Sequence, residues 1–95
     1  MSQRDEFIER LKASLDEWNA EIDELMARAR QASAQTQARH QEDLERLRRR
    51  RDEARQRLDE LQRAGEGAWS DLQKGTDEAW ERMRKAFREA AAHFK

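Results

Sequence analysis

Apolar residues follow a heptad pattern over most of the chain, in two runs. The first run advances in alternating steps of three and four residues through Ile8, Leu11, Leu15, Trp18, Ile22, Leu25, Ala29 and Ala32. The second run advances in the same way through Leu44, Leu47, Arg51, Ala54, Leu58 and Leu61. Heptad spacing predicts helices that pair along one narrow stripe. We call the residues of these two runs, from Ile8 to Leu61, the seam.

Between the two runs the phase slips through Thr36 and His40, by two consecutive steps of four residues. A slip of this kind locally unwinds a coiled coil without ending the helix. Residues 32–39 also lack Gly, Pro, Asn and Asp, the residues that favour turns. We therefore predict one helix over about residues 3–63, roughly 90 Å long, with Ser2 and Asp5 as a capping box at its start.

The seam is complementary to itself when two copies of its pattern run antiparallel. The facing pairs are then Ile8 with Leu61, Leu11 with Leu58, Leu15 with Ala54, Trp18 with Arg51, Ile22 with Leu47, Leu25 with Leu44 and Ala29 with His40. A cation–π contact is expected between Trp18 and Arg51. Two arrangements satisfy this register: a hairpin that turns near residues 33–37, and a continuous helix paired with a second copy about a two-fold axis near residues 34–35. The lack of turn residues favours the antiparallel homodimer.

Ala64-Gly-Glu-Gly67 is the clear break in the pattern, because a glycine readily takes the left-handed conformation that ends a helix. A further helix is predicted over about residues 68–94. Its apolar positions recur at intervals of eleven residues, which places them on one side of a straight helix. The larger ones are Trp69, Leu72, Trp80, Met83, Phe87 and Phe94. If this helix folds back on the long helix, the product is an all-α, single coiled-coil domain over residues 1–95 with three-helix-bundle sections. A monomeric three-helix bundle is the alternative.

Composition agrees with long helices that bury only a stripe. Charged residues make up 43% of the chain and hydrophobic residues 36%, and both Pro and Cys are absent, as in coiled coils. Residues 1–27 carry three basic and eight acidic groups, whereas residues 28–57 carry ten arginines and five acidic groups. We expect these two segments to neutralise each other along the seam. No apolar run has the ~20 residues that span a bilayer, and a cytoplasmic location is the expectation.

No residue pattern indicates catalysis. His40 and His93 are far apart in sequence, so neither a metal site, which needs several converging ligands, nor any cofactor is expected. His40 is expected to fill the seam and His93 to lie on the polar face. Most acidic residues have a basic residue three or four positions away, as on exposed helix surfaces. Since no phosphate-binding loop or activated nucleophile is visible, we do not expect an enzyme.

Two segments offer alternatives to a protein–protein role. Arg48–Arg51 is a basic run of the kind that binds nucleic acid, although we expect the acidic first segment to neutralise it. The helix over 68–94 carries its aromatic residues on one stripe, a pattern also found in helices that lie on a lipid surface. Such helices have an excess of basic residues, whereas residues 66–95 hold six basic and six acidic groups. Packing within a bundle is therefore favoured.

Four segments carry a family resemblance: Arg4-Asp-Glu-Phe-Ile8, Leu15-Asp-Glu-Trp-Asn-Ala-Glu-Ile22, Arg51-Asp-Glu-Ala-Arg55, and Gly67-Ala-Trp-Ser-Asp-Leu72 with Ala79-Trp80. In these segments the chain resembles a family of small bacterial coiled-coil-domain proteins, some of them described as stress-response proteins. The resemblance implies no enzymatic activity and no ligand. We therefore expect a non-enzymatic, homodimeric structural or interaction protein that supports stress tolerance through protein–protein contacts.

Overall fold

The computed structural model describes residues 3–94 as three helices. Helix α1 spans Gln3–Arg30, α2 spans Ala34–Arg63 and α3 spans Glu66–His93, and residues 3–94 contain no strand. Successive helices run in opposite directions, in a bundle with extents of 51 × 21 × 18 Å. The predicted all-α fold is therefore confirmed. Ser2 of the predicted capping box lies outside the described residues.

The prediction of one continuous helix over residues 3–63 is wrong for this structure, because Gln31, Ala32 and Ser33 separate α1 from α2. Ser33 has an extended backbone, with φ −63° and ψ 161°, and its hydroxyl accepts a hydrogen bond from the Thr36 amide at 3.3 Å. A serine in this position caps the helix that follows it. The chain therefore adopts the alternative arrangement, in which α1 and α2 form a hairpin.

The second break lies where it was predicted but has a different geometry. Helix α2 ends at Arg63, and α3 begins at Glu66, two residues before the predicted start. The expected left-handed glycine is not found, since no glycine among residues 3–94 has a positive φ. Instead Gly65 is extended, with φ −77° and ψ 169°, and precedes α3 as its N-cap residue.

The seam lies inside the single chain, where α1 and α2 pack antiparallel, and its side chains divide between two clusters. The first cluster contains Leu11, Leu15, Ala54, Leu58 and Leu61, with Ile8 and Trp18 packed against it. The second contains Ile22, Ala29, Leu44 and Leu47, with Leu25 packed against it. The apolar facing pairs, from Ile8 with Leu61 to Leu25 with Leu44, therefore each share a cluster.

Trp18 does not stack on Arg51 as predicted. The centroid of its ring lies 5.1 Å from that of Trp80 and 6.3 Å from that of Phe87, both on α3. Arg51 instead donates a hydrogen bond to Asn19 Oδ1 at 3.1 Å. The tryptophan turns towards α3 because an aromatic neighbour offers a larger apolar contact than a guanidinium group does.

Helix α2 packs closely on both neighbours, whereas α1 and α3 stay apart. Small residues are prominent among the buried positions of α2 and α3, namely Ala54, Thr76, Ala79, Ala86 and Ala90, beside the larger Leu47, Leu61 and Met83. Among residues 3–94, no Cα atom of α1 lies within 8 Å of a Cα atom of α3. Aromatic side chains such as Trp18 and Trp80 bridge this wider gap. A groove is left along one side of the bundle.

Candidate interaction groove

The α1–α3 groove is lined by five large apolar side chains that are only half-buried. Those on α1 are Phe7, Trp18 and Leu25, and those on α3 are Trp69 and Phe87. The two helices run parallel and have 28 residues each, so the groove is roughly 42 Å long. A cleft opens at each end of it.

Equal spacing on the two helices builds this row. Steps of eleven and then seven residues separate both Phe7, Trp18 and Leu25 on α1 and Trp69, Trp80 and Phe87 on α3. Both steps are close to a whole number of helical turns, so each set lies on one side of its helix. Because α1 and α3 are parallel, equal steps keep the two sets level. Phe7 accordingly meets Trp69, with ring centroids 5.6 Å apart.

The cleft at the N-terminal end of the groove has a volume of about 720 Å³ and lies beside Phe7 and Trp69. The guanidinium group of Arg4 lies 5.4 Å from the Trp69 ring, and that of Arg10 lies 5.9 Å from the Phe7 ring. A cation over an aromatic face is attracted to it. Arg4 also donates a hydrogen bond to the carbonyl oxygen of Ala64, which holds the end of α2 against the start of α1.

The cleft at the C-terminal end has a volume of about 400 Å³ and is lined by Leu25 and Phe87. Glu21 borders it on the α1 side and Arg88 on the α3 side. Glu21 makes no ion pair with the described residues, whereas Arg88 lies 3.8 Å from Glu81 of its own helix. Glu24 and Arg28, also on the α1 side, pair with each other at 3.6 Å, so Glu21 is the carboxylate of this cleft that faces Arg88 without an ion pair of its own among residues 3–94.

The structure brings together the two histidines that are distant in sequence. His93 Nδ1 lies 2.8 Å from Asp43 Oδ2, and His40 Nε2 lies 3.4 Å from the carbonyl oxygen of His93. The His40 ring is buried and stacks on Phe94, with centroids 3.7 Å apart. Asp43 is only 5% exposed, and a buried carboxylate needs such partners. This cluster ties the end of α3 to the start of α2.

This histidine cluster has a structural role in the bundle. Among residues 3–94, no group of three or more His, Cys, Asp or Glu side chains is placed to hold a metal ion. The pairing of Asp43 with His93 was missed in the sequence because the two residues are fifty positions apart. The antiparallel register of α2 and α3 brings Asp43 and His93 to the same level of the bundle, and this register is the signal in the sequence that indicates the pair.

The Arg48–Arg51 run does not form one basic surface. Arg48 and Arg51 both reach towards α1, where Arg48 Nη2 lies 3.0 Å from Met26 Sδ and Arg51 Nη1 lies 3.1 Å from Asn19 Oδ1. Arg50 instead lines a cleft between α2 and α3. Successive side chains of a helix point about 100° apart, so four adjacent arginines cannot share a face.

The predicted neutralisation of α1 by α2 is not found as direct ion pairs. Leaving Asp5 aside, the ion pairs of the described residues run within one helix or between α2 and α3, as in Arg28 with Glu24 and Arg46 with Glu89. The acidic side chains of α1 point away from α2 because the apolar stripe of α1 faces it. The exposed carboxylates that make no ion pair with residues 3–94 include Asp16, Glu17, Glu21 and Asp23.

Helix α3 uses its apolar stripe inside the bundle. Its buried residues are Thr76, Ala79, Trp80, Met83, Ala86 and Ala90. In the predicted packing set, Trp80 and Met83 are thus buried, whereas Trp69, Leu72, Phe87 and Phe94 are half-buried. None of the helices in residues 3–94 contains an apolar segment long enough to cross a bilayer.

Comparison with models of known protein families, with curated proteins and with solved structures finds no match for this chain. The resemblance to small bacterial coiled-coil-domain proteins therefore stays a prediction. The function proposed below rests on the groove and on the packing around it.

Proposed function

We propose that this chain is a non-enzymatic structural protein that acts by associating with a second copy of itself through the α1–α3 groove. The observation that carries the proposal is the separation of α1 and α3, which leaves a row of large apolar side chains half-exposed. In a closed helical bundle, another element covers such a row. A contiguous apolar surface on a small protein marks an interaction site.

The size of the groove face suits a second copy. Helices α1 and α3 are each roughly 42 Å long and about 10 Å wide, so together they present a face on the order of 800 Å². A stable interface between two proteins buries about 800 Å² on each partner. Two copies of this face, set against each other, therefore meet the area that a stable dimer needs.

The charges on the two rims favour one orientation of the copies. At the C-terminal cleft the α1 rim carries Glu21, Glu24 and Arg28, of which Glu24 and Arg28 pair with each other at 3.6 Å, and the α3 rim carries Arg88. A two-fold axis parallel to the helices places α1 of each copy opposite α3 of the other. Glu21 of one copy then comes near Arg88 of its partner on both sides, and this complementarity favours the orientation.

Static light scattering at micromolar concentration tests the proposal. We expect a molar mass of at least twice the single-chain value of 11.4 kDa. Phe87→Glu is expected to weaken the dimer, because it places a charge in the apolar row. Gln62→Glu is the control, since it adds the same charge at an exposed position of α2 outside the groove. A single-chain mass for the unmodified protein, or equal masses for the two variants, would contradict the proposal.

The proposed stress context rests on the family resemblance alone and calls for a separate measurement. We expect the protein to be more abundant in stressed cells than in unstressed cells, which quantitative immunoblotting would reveal.

Co-sedimentation with anionic vesicles distinguishes association between copies from binding to a membrane surface by the helix over 68–94. We expect the protein not to sediment with the vesicles, because α3 already packs its apolar stripe against α1 and α2.

A further inference from the structure

The turn between α1 and α2 consists of residues that a helix also accepts. Gln31, Ala32 and Ser33 include neither Gly nor Pro, and no residue among 3–94 has a positive φ. Ser33 departs from helical geometry through its ψ of 161°, whereas its φ of −63° is already that of a helix. At Ser33, rotation about ψ alone therefore separates the turn conformation from the helical one.

Short-range hydrogen bonds close the turn. The Ser33 hydroxyl accepts from the Thr36 amide at 3.3 Å. Gln37 Nε2 donates to the carbonyl oxygens of Arg30 at 3.1 Å and of Ala32 at 3.0 Å. In an unbroken helix the same backbone groups would be satisfied by bonds between residues four apart. Straightening the turn therefore leaves none of these groups without a partner.

The seam has the same pattern on both sides of this turn. Leu11 faces Leu58 and Ile22 faces Leu47, and the members of each pair lie equally far from residues 34–35. A helix that runs straight through this point presents the same residues to an antiparallel second copy. Ala32, Ala34 and Ala38 lie near the crossing point, and such small side chains allow two helices to approach closely.

We propose that two copies of this chain exchange α1. The turn at residues 31–33 straightens, residues 3–63 become one helix, and α1 of each copy takes the place of α1 on α2 and α3 of the other. The partner is thus a second copy of this chain, joined through the seam. This inference goes beyond the proposed function, because the exchange joins two copies through the seam rather than through the groove. The α1–α3 groove is still present in each half of the exchanged dimer. Short connecting turns are a known route to such exchange.

Cross-linking distinguishes exchange from the hairpin. Asn19 and Arg51 contact each other across the seam at 3.1 Å, and the chain contains no cysteine. Asn19→Cys chains are mixed with Arg51→Cys chains, unfolded, refolded together and treated with a short bis-maleimide. We expect a covalent dimer linked from position 19 to position 51, identified by mass spectrometry of the joined peptides.

Three controls make the cross-linking result decisive. Each single variant alone is expected to stay unlinked, because position 19 of one copy lies far from position 19 of the other in the exchanged dimer. A chain that carries both substitutions shows that the reagent reaches both positions. If that chain is linked while the mixture gives no covalent dimer, exchange does not occur and the proposal is wrong.

Ala34→Pro is expected to lock the hairpin. Ala34 is the first residue of α2, where proline is favoured, and Ser33 before it already has the extended backbone that precedes proline. Inside a continuous helix the same proline loses a hydrogen bond and clashes, which disfavours the straight chain on the order of 100-fold. In the mixture of Asn19→Cys and Arg51→Cys chains, Ala34→Pro should abolish the covalent link between two chains, and Ala34→Ser should retain it. A link that survives Ala34→Pro, in a chain whose circular dichroism is unchanged, would overturn the proposal.

Molar mass separates exchange from association through the groove. Any dimer that remains in Ala34→Pro reports on the groove, and any dimer that remains in Phe87→Glu reports on exchange. Loss of the dimer only in Ala34→Pro supports exchange and contradicts the proposed function. Loss of the dimer only in Phe87→Glu supports the proposed function and contradicts exchange.

Discussion

Replacing Leu47 with alanine tests whether α2 is the centre of the bundle. Leu47 is 0% exposed and belongs to the cluster that contains Ile22 of α1 and Met83 of α3. The substitution removes about three methylene equivalents, worth ~0.8 kcal/mol each in transfer free energy. The space it leaves is enclosed by three helices, and an unfilled cavity adds a further loss. We expect the free energy of unfolding to fall by about 3–4 kcal/mol.

Leu25→Ala is the matched control, because it removes the same atoms at the edge of the groove. Leu25 is half-buried, and water can fill the space, so the expected loss is about 1 kcal/mol. Urea unfolding followed by circular dichroism measures both losses at equal protein concentration. For a domain of this size the melting temperature moves by about 4–8 °C per kcal/mol, so thermal unfolding gives a second measurement. Equal losses for the two variants would refute the central placement of α2.

Three further changes probe local features of the bundle, each measured by urea unfolding. Gly75→Ala should stabilise the chain by about 0.5–1 kcal/mol through helix propensity, because an added Cβ would meet only the Arg57 side chain, at 3.9 Å; a loss of stability would contradict this. Ser33→Ala should cost the hairpin about 1 kcal/mol by removing the α2 cap, and an unchanged midpoint would show that the cap contributes nothing. A double-mutant cycle of Asp43→Ala and His93→Ala should give a coupling of about 0.5–1 kcal/mol, since the His93 side chain is 59% exposed; a coupling of zero would remove the pair from the bundle's stabilising contacts.

The helices and their pairing could be predicted from the sequence because heptad spacing is a local property. A helix places residues three and four apart on the same face, so the pattern indicates both the helix and its buried stripe. Ile22 and Leu47, predicted to face each other, belong to one cluster, and Leu15 and Ala54 belong to the other. Each of these pairs follows from spacing alone, without knowledge of α3.

The turn at residues 31–33 could not be predicted, because the hairpin and the straight helix both provide hydrogen-bond partners for the same backbone amide and carbonyl groups. Ser33 and Gln37 provide in the turn the hydrogen bonds that helical amides and carbonyls provide otherwise. What distinguishes the two is whether α1 finds its partner in its own chain or in another. Association between chains costs translational and rotational freedom that pairing within a chain does not, and heptad spacing contains no information about that cost.

The groove was not predicted, because its lining side chains come side by side only when α3 runs parallel to α1. The steps of eleven and seven residues are visible in the sequence on both helices. They bring Trp18 level with Trp80 only when the two helices are parallel. Heptad spacing on α1 and α2 places Trp18 opposite Arg51 and contains no information about its position relative to α3. A comparison of aromatic spacings between helices two apart in the chain would have indicated the contact.

The size of the side chains determines which sides of the bundle close. Helix α2 approaches α3 through buried alanines such as Ala79 and Ala86, whereas the ring of Trp18 meets that of Trp80 between α1 and α3. Two indole rings hold helices further apart than alanines do, and they leave Phe7 and Phe87 half-exposed. Apolar area left in water forgoes about 25 cal/mol for each Å². A single chain cannot recover this stabilisation without smaller residues, which is the physical reason for the proposed association with a second copy that would cover the row.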